Sequence, residues 1–401
     1  MPETTEIDVA PRRLIRLTLA LFLSYLAVAM ALPTIPVYVT HQLRFGNALG
    51  GLAVGIAFLS TILTRNYAGN LADRVSSKIC MLRGLKLYSL ASLICLASAW
   101  PALPPTSGYA LLIAGRLLLG LGESQVLVGM ISWGVGLMGA GRSGRVIAVV
   151  GAGMYGAFAV GGPVGLLLLR YSGFAGLMVA CTVVPLLGLW MVRGVPEVRS
   201  QAGKRESFWR ILARIWRPGA AVGLQGVGFA ALGAFISLYF SSRGWPFAGF
   251  GLTCFGGGFV LVRLLCGHLP DRIGGTRVAI VSLLVEACGQ YLLWVAPGPA
   301  LALVGALLTG LGCSMVFPSM GSEVVKRVPP HLRGTATGGF AAFQDLAYGA
   351  TGPIAGLFAD HYGYAVVFLI GGVAATLGLG MAISAHRENA GQGPALAGQQ
   401  G

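Results

Sequence analysis

Charge is what this chain has least of. Only 10% of its 401 residues are charged, where a soluble protein of that length carries roughly 25%. Histidines number 5 and cysteines 7. The histidines are scattered. The cysteines (Cys80, Cys95, Cys181, Cys254, Cys266, Cys288, Cys313) fall in apolar stretches or at their ends. None of these residues has metal-ligand spacing, and no cysteine pair sits in an external loop, which excludes a zinc module and a disulfide framework. No Gly-rich phosphate loop is present, and no polar segment is long enough to house a catalytic triad outside an apolar layer. No catalytic, metal or cofactor site is therefore expected. A cleavable signal peptide is lacking too. Pro11-Arg12-Arg13-Leu14-Ile15-Arg16 precedes an apolar run too long for a signal core, so that run reads as a first spanning helix.

What the chain has in excess is apolar length. Hydrophobic residues make up 55%, with 62 glycines, and the mean hydropathy is +0.77. Glycine is commoner in transmembrane helices than in soluble ones. A bilayer core needs about 20 apolar residues per helix. Twelve stretches qualify: 14–40, 48–70, 79–100, 108–136, 145–169, 174–193, 219–241, 248–269, 276–296, 299–325, 334–358 and 363–385. The sequence predicts an all-α integral membrane protein. Placing the N-terminus in the cytoplasm leaves only Arg44, Arg170 and Arg243 on the opposite side, with Arg65, Lys86, Arg116 and Arg263 inside apolar stretches; every other Lys and Arg is then cytoplasmic. Such a bias puts both termini inside and accounts for a net charge of +15 without nucleic acid as a partner.

Residues 1–13 read as a cytoplasmic N-terminal segment, 14–195 as a six-helix bundle, 196–217 as a cytoplasmic linker, 218–386 as a second six-helix bundle and 387–401 as a disordered tail. Within the linker, Phe208, Ile211, Leu212 and Ile215 share one helical face, the pattern of an amphipathic helix lying on the inner membrane surface. Pro33 and Pro36 are expected to bend the outer end of the first helix.

The halves repeat one another. Arg65-Asn66-Tyr67-Ala68-Gly69-Asn70-Leu71-Ala72-Asp73-Arg74 returns as Arg263-Leu264-Leu265-Cys266-Gly267-His268-Leu269-Pro270-Asp271-Arg272, with Arg, Gly, Leu, Asp and Arg at identical spacing 198 residues later. Gly120-Leu121-Gly122 returns as Gly310-Leu311-Gly312, and Gly162-Pro163 as Gly352-Pro353, both 190 residues later. Two bundles of equal orientation with a site between them are the parallel-repeat plan of secondary transporters.

These phrases resemble the major facilitator superfamily over essentially the whole chain. Gly69–Lys78 is similar to that family's signature between helices two and three, Gly267–Arg272 to its second-half copy, and Arg116–Gly122 to its helix-four motif. Glu123 after that motif and the Gly-rich helix five resemble the bacterial sugar-efflux and drug-efflux permeases. There are departures. Ser76 and Ser77 stand where the signature has Gly and Arg, and Leu166-Leu167 replace the downstream Gly pair of the antiporter motif. The resemblance implies that Asp73 and Asp271, each with its Arg74 or Arg272, meet a helix N-terminus of the other half when the cytoplasmic side closes. Gly69 and Gly267 would let helices approach there.

Intramembrane charges are the other candidates, because such groups are expensive and mark function. Arg263 and Glu286 lie at matching depth and are expected to pair. For Arg65 the first partner to examine is Asp345. Arg116 and Glu123 share one face of helix four but stand about 10 Å apart along its axis, too far for a good ion pair. They suggest a polar cavity in which Glu123, near the midplane, carries a proton, with Asp345 the second coupling candidate. Tyr25, Gln225, Tyr239, Met315, Met320 and Gln344 are possible solute contacts, each with packing as the alternative. Gly120, Gly162, Pro163, Gly352 and Pro353 are expected to pack helices. The expected function is export of a small polar or amphiphilic solute (sugar-like, drug-like or zwitterionic) across a bacterial inner membrane. It would be driven by the proton gradient, with a monomer working by alternating access. Proton-coupled uptake is the alternative, and a non-transporting sensor or scaffold the alternative of another class.

Overall fold

The computed structural model describes residues 3–139, 142–197, 208–328 and 333–397; some side chains beside those gaps, and that of Asp271, lie outside the described set. The described residues form helices and turns, with no strand. That is the outcome for apolar segments in lipid, where every backbone polar group has to be satisfied within its own helix.

In chain order the helices are α1 (Glu3–Ala31), α2 (Thr34–Val37) running into a π-helical turn Tyr38–Gln42, α3 (Asn47–Arg74), α4 (Ser77–Ala97), α5 (Pro105–Met138) and α6 (Ser143–Val192). After them come α7 (Phe208–Ser242), α8 (Phe250–Cys266), α9 (Leu269–Ile273), α10 (Gly275–Val295), α11 (Pro299–Lys326), α12 (Arg333–Tyr362) and α13 (Ala365–Ala397). Among the described residues nine helices are long and apolar enough to cross a membrane; α8, with 17 residues, is shorter, and α12 is not among the nine. One of the nine is two expected spans in one, since α6 turns back at Gly173, whose φ of 66° favours glycine. Gly363 (φ 80°), 190 residues later, makes the matching turn between α12 and α13.

Helices α1–α6 pack among themselves, as do α7–α13; the halves meet mainly along two seams, α3 against α12 and α6 against α8. Within each half the same close approach recurs. A Cβ on Gly120 would overlap the carbonyl oxygen of Ala57, and one on Gly310 that of Phe255. The repeat read in the sequence is thus a repeat of helix contacts.

Three local expectations change. The tail is not disordered as far as Ala397: α13 continues through it, past Gly391, Gly393 and Pro394, residues expected from the sequence to stop a helix. The linker is not a separate helix either, since Phe208–Ser242 is one helix with Pro218 inside it. Of its proposed apolar face, Ile215 is buried in the second half; the side chains of Phe208, Ile211 and Leu212, like residues 198–207, lie outside the described set. Helix one breaks at Leu32-Pro33, and the signature loop's departure has a local role. Ser76 accepts a hydrogen bond from Ile79 N at 3.0 Å and caps α4.

Candidate functional site

The two seams are closed at one end and parted at the other. The end carrying Asp73 and Asp271 is here the signature end, the opposite one the far end. At the far end backbones touch. A Cβ on Gly51 would overlap the Gly352 carbonyl oxygen, one on Gly55 that of Gly349, and one on Gly256 would lie 2.6 Å from Ala159. Gly162 faces Leu252 at 2.7 Å by the same measure, and Pro163 lies against Gly249. Asp360, at the end of α12, closes this side. Its Oδ1 accepts from Asn47 N (3.0 Å) and Asn47 Nδ2 (2.7 Å), and its Oδ2 from Ala48 N (3.2 Å). These are the first amides of α3, so a carboxylate of one half caps a helix of the other, where helix N-terminus and anion attract. Tyr364 Oη adds a bond to Asn47 Oδ1 at 2.9 Å.

Midway, aromatic rings of both halves meet: Phe58 with Tyr348 (5.1 Å between centroids), Phe158 with Phe229 (5.2 Å), and Tyr155 stacked on Phe259 (3.5 Å). Further along, two turns on α3 and one on α12, Arg65 Nη2 lies 2.5 Å from Asp345 Oδ2, the pairing raised from the sequence. Beyond it the seams part. A Cβ on Gly69, Gly151 or Gly338 would meet nothing within 4 Å, and one on Gly267 only the carbonyl of its own Arg263. Among the described residues the close approach expected at Gly69 and Gly267 is therefore absent; the described glycines that approach closely between halves are at the far end. Asp73, Arg74 and Arg272 are exposed, and Asp271's side chain lies outside the described set.

The midplane charges are less simply arranged than expected. Glu123 is buried, and its Oε1 accepts from Tyr25 Oη at 3.0 Å and its Oε2 from Thr61 Oγ1 at 3.4 Å. Arg116 turns away from it. The guanidinium donates from Nε to Ala53 O (2.9 Å) and from Nη2 to Val54 O (3.3 Å), fastening α5 to α3. The shared helix face is real, but the α3 carbonyls already satisfy the arginine.

The expected Arg263–Glu286 pair is not formed. Arg263 Cζ sits 5.3 Å from the Phe259 ring centre and its Nε is buried without a hydrogen-bond partner. Glu286 is fully buried elsewhere, its Oε1 close against α7 at Gly228. The matching depth expected of the two is not found: α11 meets Glu286 at Gly312 and meets Phe259, one turn before Arg263, at Ser314, so Arg263 lies further towards the signature end. Each half buries a carboxyl against its own helices, Glu123 on α5 and Glu286 on α10, at positions the repeat does not relate. Gly122 packs beside Tyr88 where Gly312 packs beside the Glu286 backbone, so Glu286 occupies the place of Tyr88, and Cys313 that of Glu123.

Of the solute-contact candidates, Tyr25 bonds Glu123, and Gln225 Oε1 accepts from Gln344 Nε2 at 3.1 Å, joining α7 to α12. Tyr239 is spent on Leu293 O (3.1 Å), Met315 is buried, and Met320 lies in the core of the second half. Sequence reasoning missed Asp360, Asn47, Thr61 and the central rings. Asp360 carried a signal: it is an acid at a helix end on the side where charge is scarce.

A family model described as Major Facilitator Superfamily matches residues 17–252 and 224–399. The chain is 44% identical over 365 residues to an uncharacterized MFS-type transporter of Salmonella typhimurium, covering 91% of this chain and 94% of that one. It is 38% identical over 369 residues to an uncharacterized MFS-type transporter of Burkholderia mallei, covering 92% and 91%. Among solved structures, a D-xylose-proton symporter superposes with a TM-score of 0.78 at 16% identity over 92% of this chain and 96% of that one. A nucleoside transporter superposes with a TM-score of 0.75 at 14% identity over 93% and 99%. At such identities the superpositions bear on the fold alone.

Proposed function

The chain belongs to the major facilitator superfamily and is a transporter, and from that premise we propose that it exports a small polar or amphiphilic solute by alternating access, coupled to protons. The observation that carries this reading is the asymmetry of the seams, tight at the far end and parted beyond Arg65–Asp345 at the other. The basic residues cluster at the signature end, which makes that end cytoplasmic in a bacterial inner membrane, with both termini inside. The conformation is then open to the cytoplasm, ready to load a solute for export.

In this reading the halves rock about the central rings. The glycine contacts and the Asp360 cap separate, while the signature end closes and brings Asp73 and Asp271 towards helix N-termini of the opposite half. Glu123 is the proton carrier. It is buried, held by the Tyr25 hydroxyl with that of Thr61 nearby, and no cation lies within ion-pair distance of it among the described residues. A carboxylate so placed moves through a low-dielectric interior far more readily neutral than charged, so proton uptake and release gate the change of state. Asp345 is the second coupling group, tied to the cycle through Arg65. The proton gradient supplies the energy, with no bound cofactor, and a monomer suffices.

Reconstituted protein in liposomes tests this. An imposed pH gradient should drive solute flux, and Glu123→Gln should lose gradient-driven flux by at least about tenfold while exchange of solute across the membrane persists. Solute accumulation on the same side as the proton influx would replace export by symport. Unchanged gradient-driven flux in the variant would remove Glu123 from the coupling.

A further inference from the structure

The two seams are related by the internal repeat, and the repeat exposes one charge that lacks its counterpart. Arg65 of α3 corresponds to Arg263 of α8, by the 198-residue offset of the signature. Asp345 of α12 corresponds to Tyr155 of α6, by the 190-residue offset that relates Gly162-Pro163 to Gly352-Pro353 and the turn glycines Gly173 and Gly363. In one seam the arginine meets a carboxylate. In the other the carboxylate position is a tyrosine, whose ring stacks on Phe259 at 3.5 Å while Arg263 lies over the same Phe259 at 5.3 Å. Arg263 makes no ion pair among the described residues, and its Nε is buried without an acceptor. Glu286, the acid nearest in expectation, is turned to α7. Beside this arginine the seam is open. Gly151, one turn from Tyr155 towards the signature end, has nothing within 4 Å of where a Cβ would stand.

We propose that the missing anion is supplied by the solute: Arg263 receives the carboxylate of a small organic anion whose apolar, preferably aromatic, body lies against Tyr155, Phe259 and the rings behind them. A guanidinium offers a planar pair of donors suited to a carboxylate, and an unpaired cation in a low-dielectric seam gains most from an anion that arrives with its own apolar cover. The ring of Phe259 beneath Arg263 holds the guanidinium in place when the site is empty. Of the solutes open to a carrier of this kind, the site selects an amphiphilic acid over a neutral sugar. It rests on the transport reading, and its test separates the two.

Thermal unfolding of the detergent-purified full chain is measured with benzoate, hydrocinnamate and indole-3-acetate, with the amide of each, and with aromatic amines and sugars; binders are then carried into liposome flux. At least one carboxylate should raise the unfolding temperature where its amide does not. Arg263→Gln should weaken that carboxylate's apparent affinity by at least about tenfold, and Arg263→Lys by less. Tyr155→Asp places an acid where the other seam has Asp345, and should abolish carboxylate binding while the ligand-free unfolding transition persists. If a sugar or amine binds and is transported while no carboxylate does, this inference falls and the transport reading stands. If a carboxylate binds Arg263→Gln as well as the parent, Arg263 is not its site. If no solute of any class binds or crosses, both readings fall.

Discussion

An ion pair, Arg65–Asp345, ties the halves together on the signature side of the central rings, and its worth depends on state rather than on strength alone. Both partners are only slightly exposed, so removing one leaves the other partly buried and unpaired, a cost of several kcal/mol in a dry interior. Asp345→Asn should therefore slow transport by about tenfold or more and lower the unfolding temperature. The exchanged pair, Arg65→Asp with Asp345→Arg, should recover much of the stability. Flux and thermal unfolding measured on the three proteins check it, and an exchanged pair no better than either single variant would show that position, not pairing, is what matters. This pair was legible in the sequence because both residues are ionisable groups stranded in apolar runs. The same reasoning does not give the partner of Arg263. Counting residues from a helix end fixes depth only where the helices start level and run parallel, and the packing of α10 against α11 and α7 takes Glu286 to Gly312 and Gly228 instead.

At the scale of the element, glycines fall into two classes that the sequence does not separate. Gly120 and Gly310 lie within a half, against helices of their own bundle, and their Gly-Leu-Gly repeat announced them. Gly51, Gly55, Gly349 and Gly352 lie between halves, and nothing in their spacing marks them as different from the many glycines facing elsewhere. The two classes should respond differently to one added methyl. Gly120→Ala drives a Cβ into the Ala57 carbonyl, and α3 cannot withdraw without leaving its own bundle. It should cost about 1–3 kcal/mol of stability, seen as a lower unfolding temperature. Gly352→Ala drives a Cβ into Gly51 across the seam, and there the halves can part. It should leave the unfolding temperature nearly unchanged and instead raise the reactivity of a cysteine placed at Ala48 towards a membrane-impermeant reagent applied to the far side. Equal destabilisation by both substitutions would mean that the far-end seam is as rigid as a bundle interior.

For the whole molecule the question is what holds it open on one side only. The glycine contacts are weak per atom, and at the signature end a Cβ on Gly69 would meet nothing within 4 Å. Asp360 supplies the direction. The physics expected of Asp73 and Asp271, a carboxylate set against a helix N-terminus of the other half, is found at the opposite end, in three hydrogen bonds to Asn47 and Ala48. The repeat places Arg170 where Asp360 stands in the second half, and a cation cannot cap a helix start. Among the described residues only the α3–α12 seam carries such a latch, so a single residue biases the equilibrium between states. A capping carboxylate contributes about 0.5–2 kcal/mol, and 1.4 kcal/mol is about tenfold in a two-state population. Asp360→Asn, which keeps the shape and loses the charge, should therefore raise the population opened at the far end several-fold without unfolding the protein. Spin labels at Trp100 and Phe247, exposed residues of the two halves near the far end, should report it as a second, longer distance that grows in the variant. If the distance distribution of Asp360→Asn matches that of the parent, the latch carries no bias, and the glycine seam alone sets which side is open.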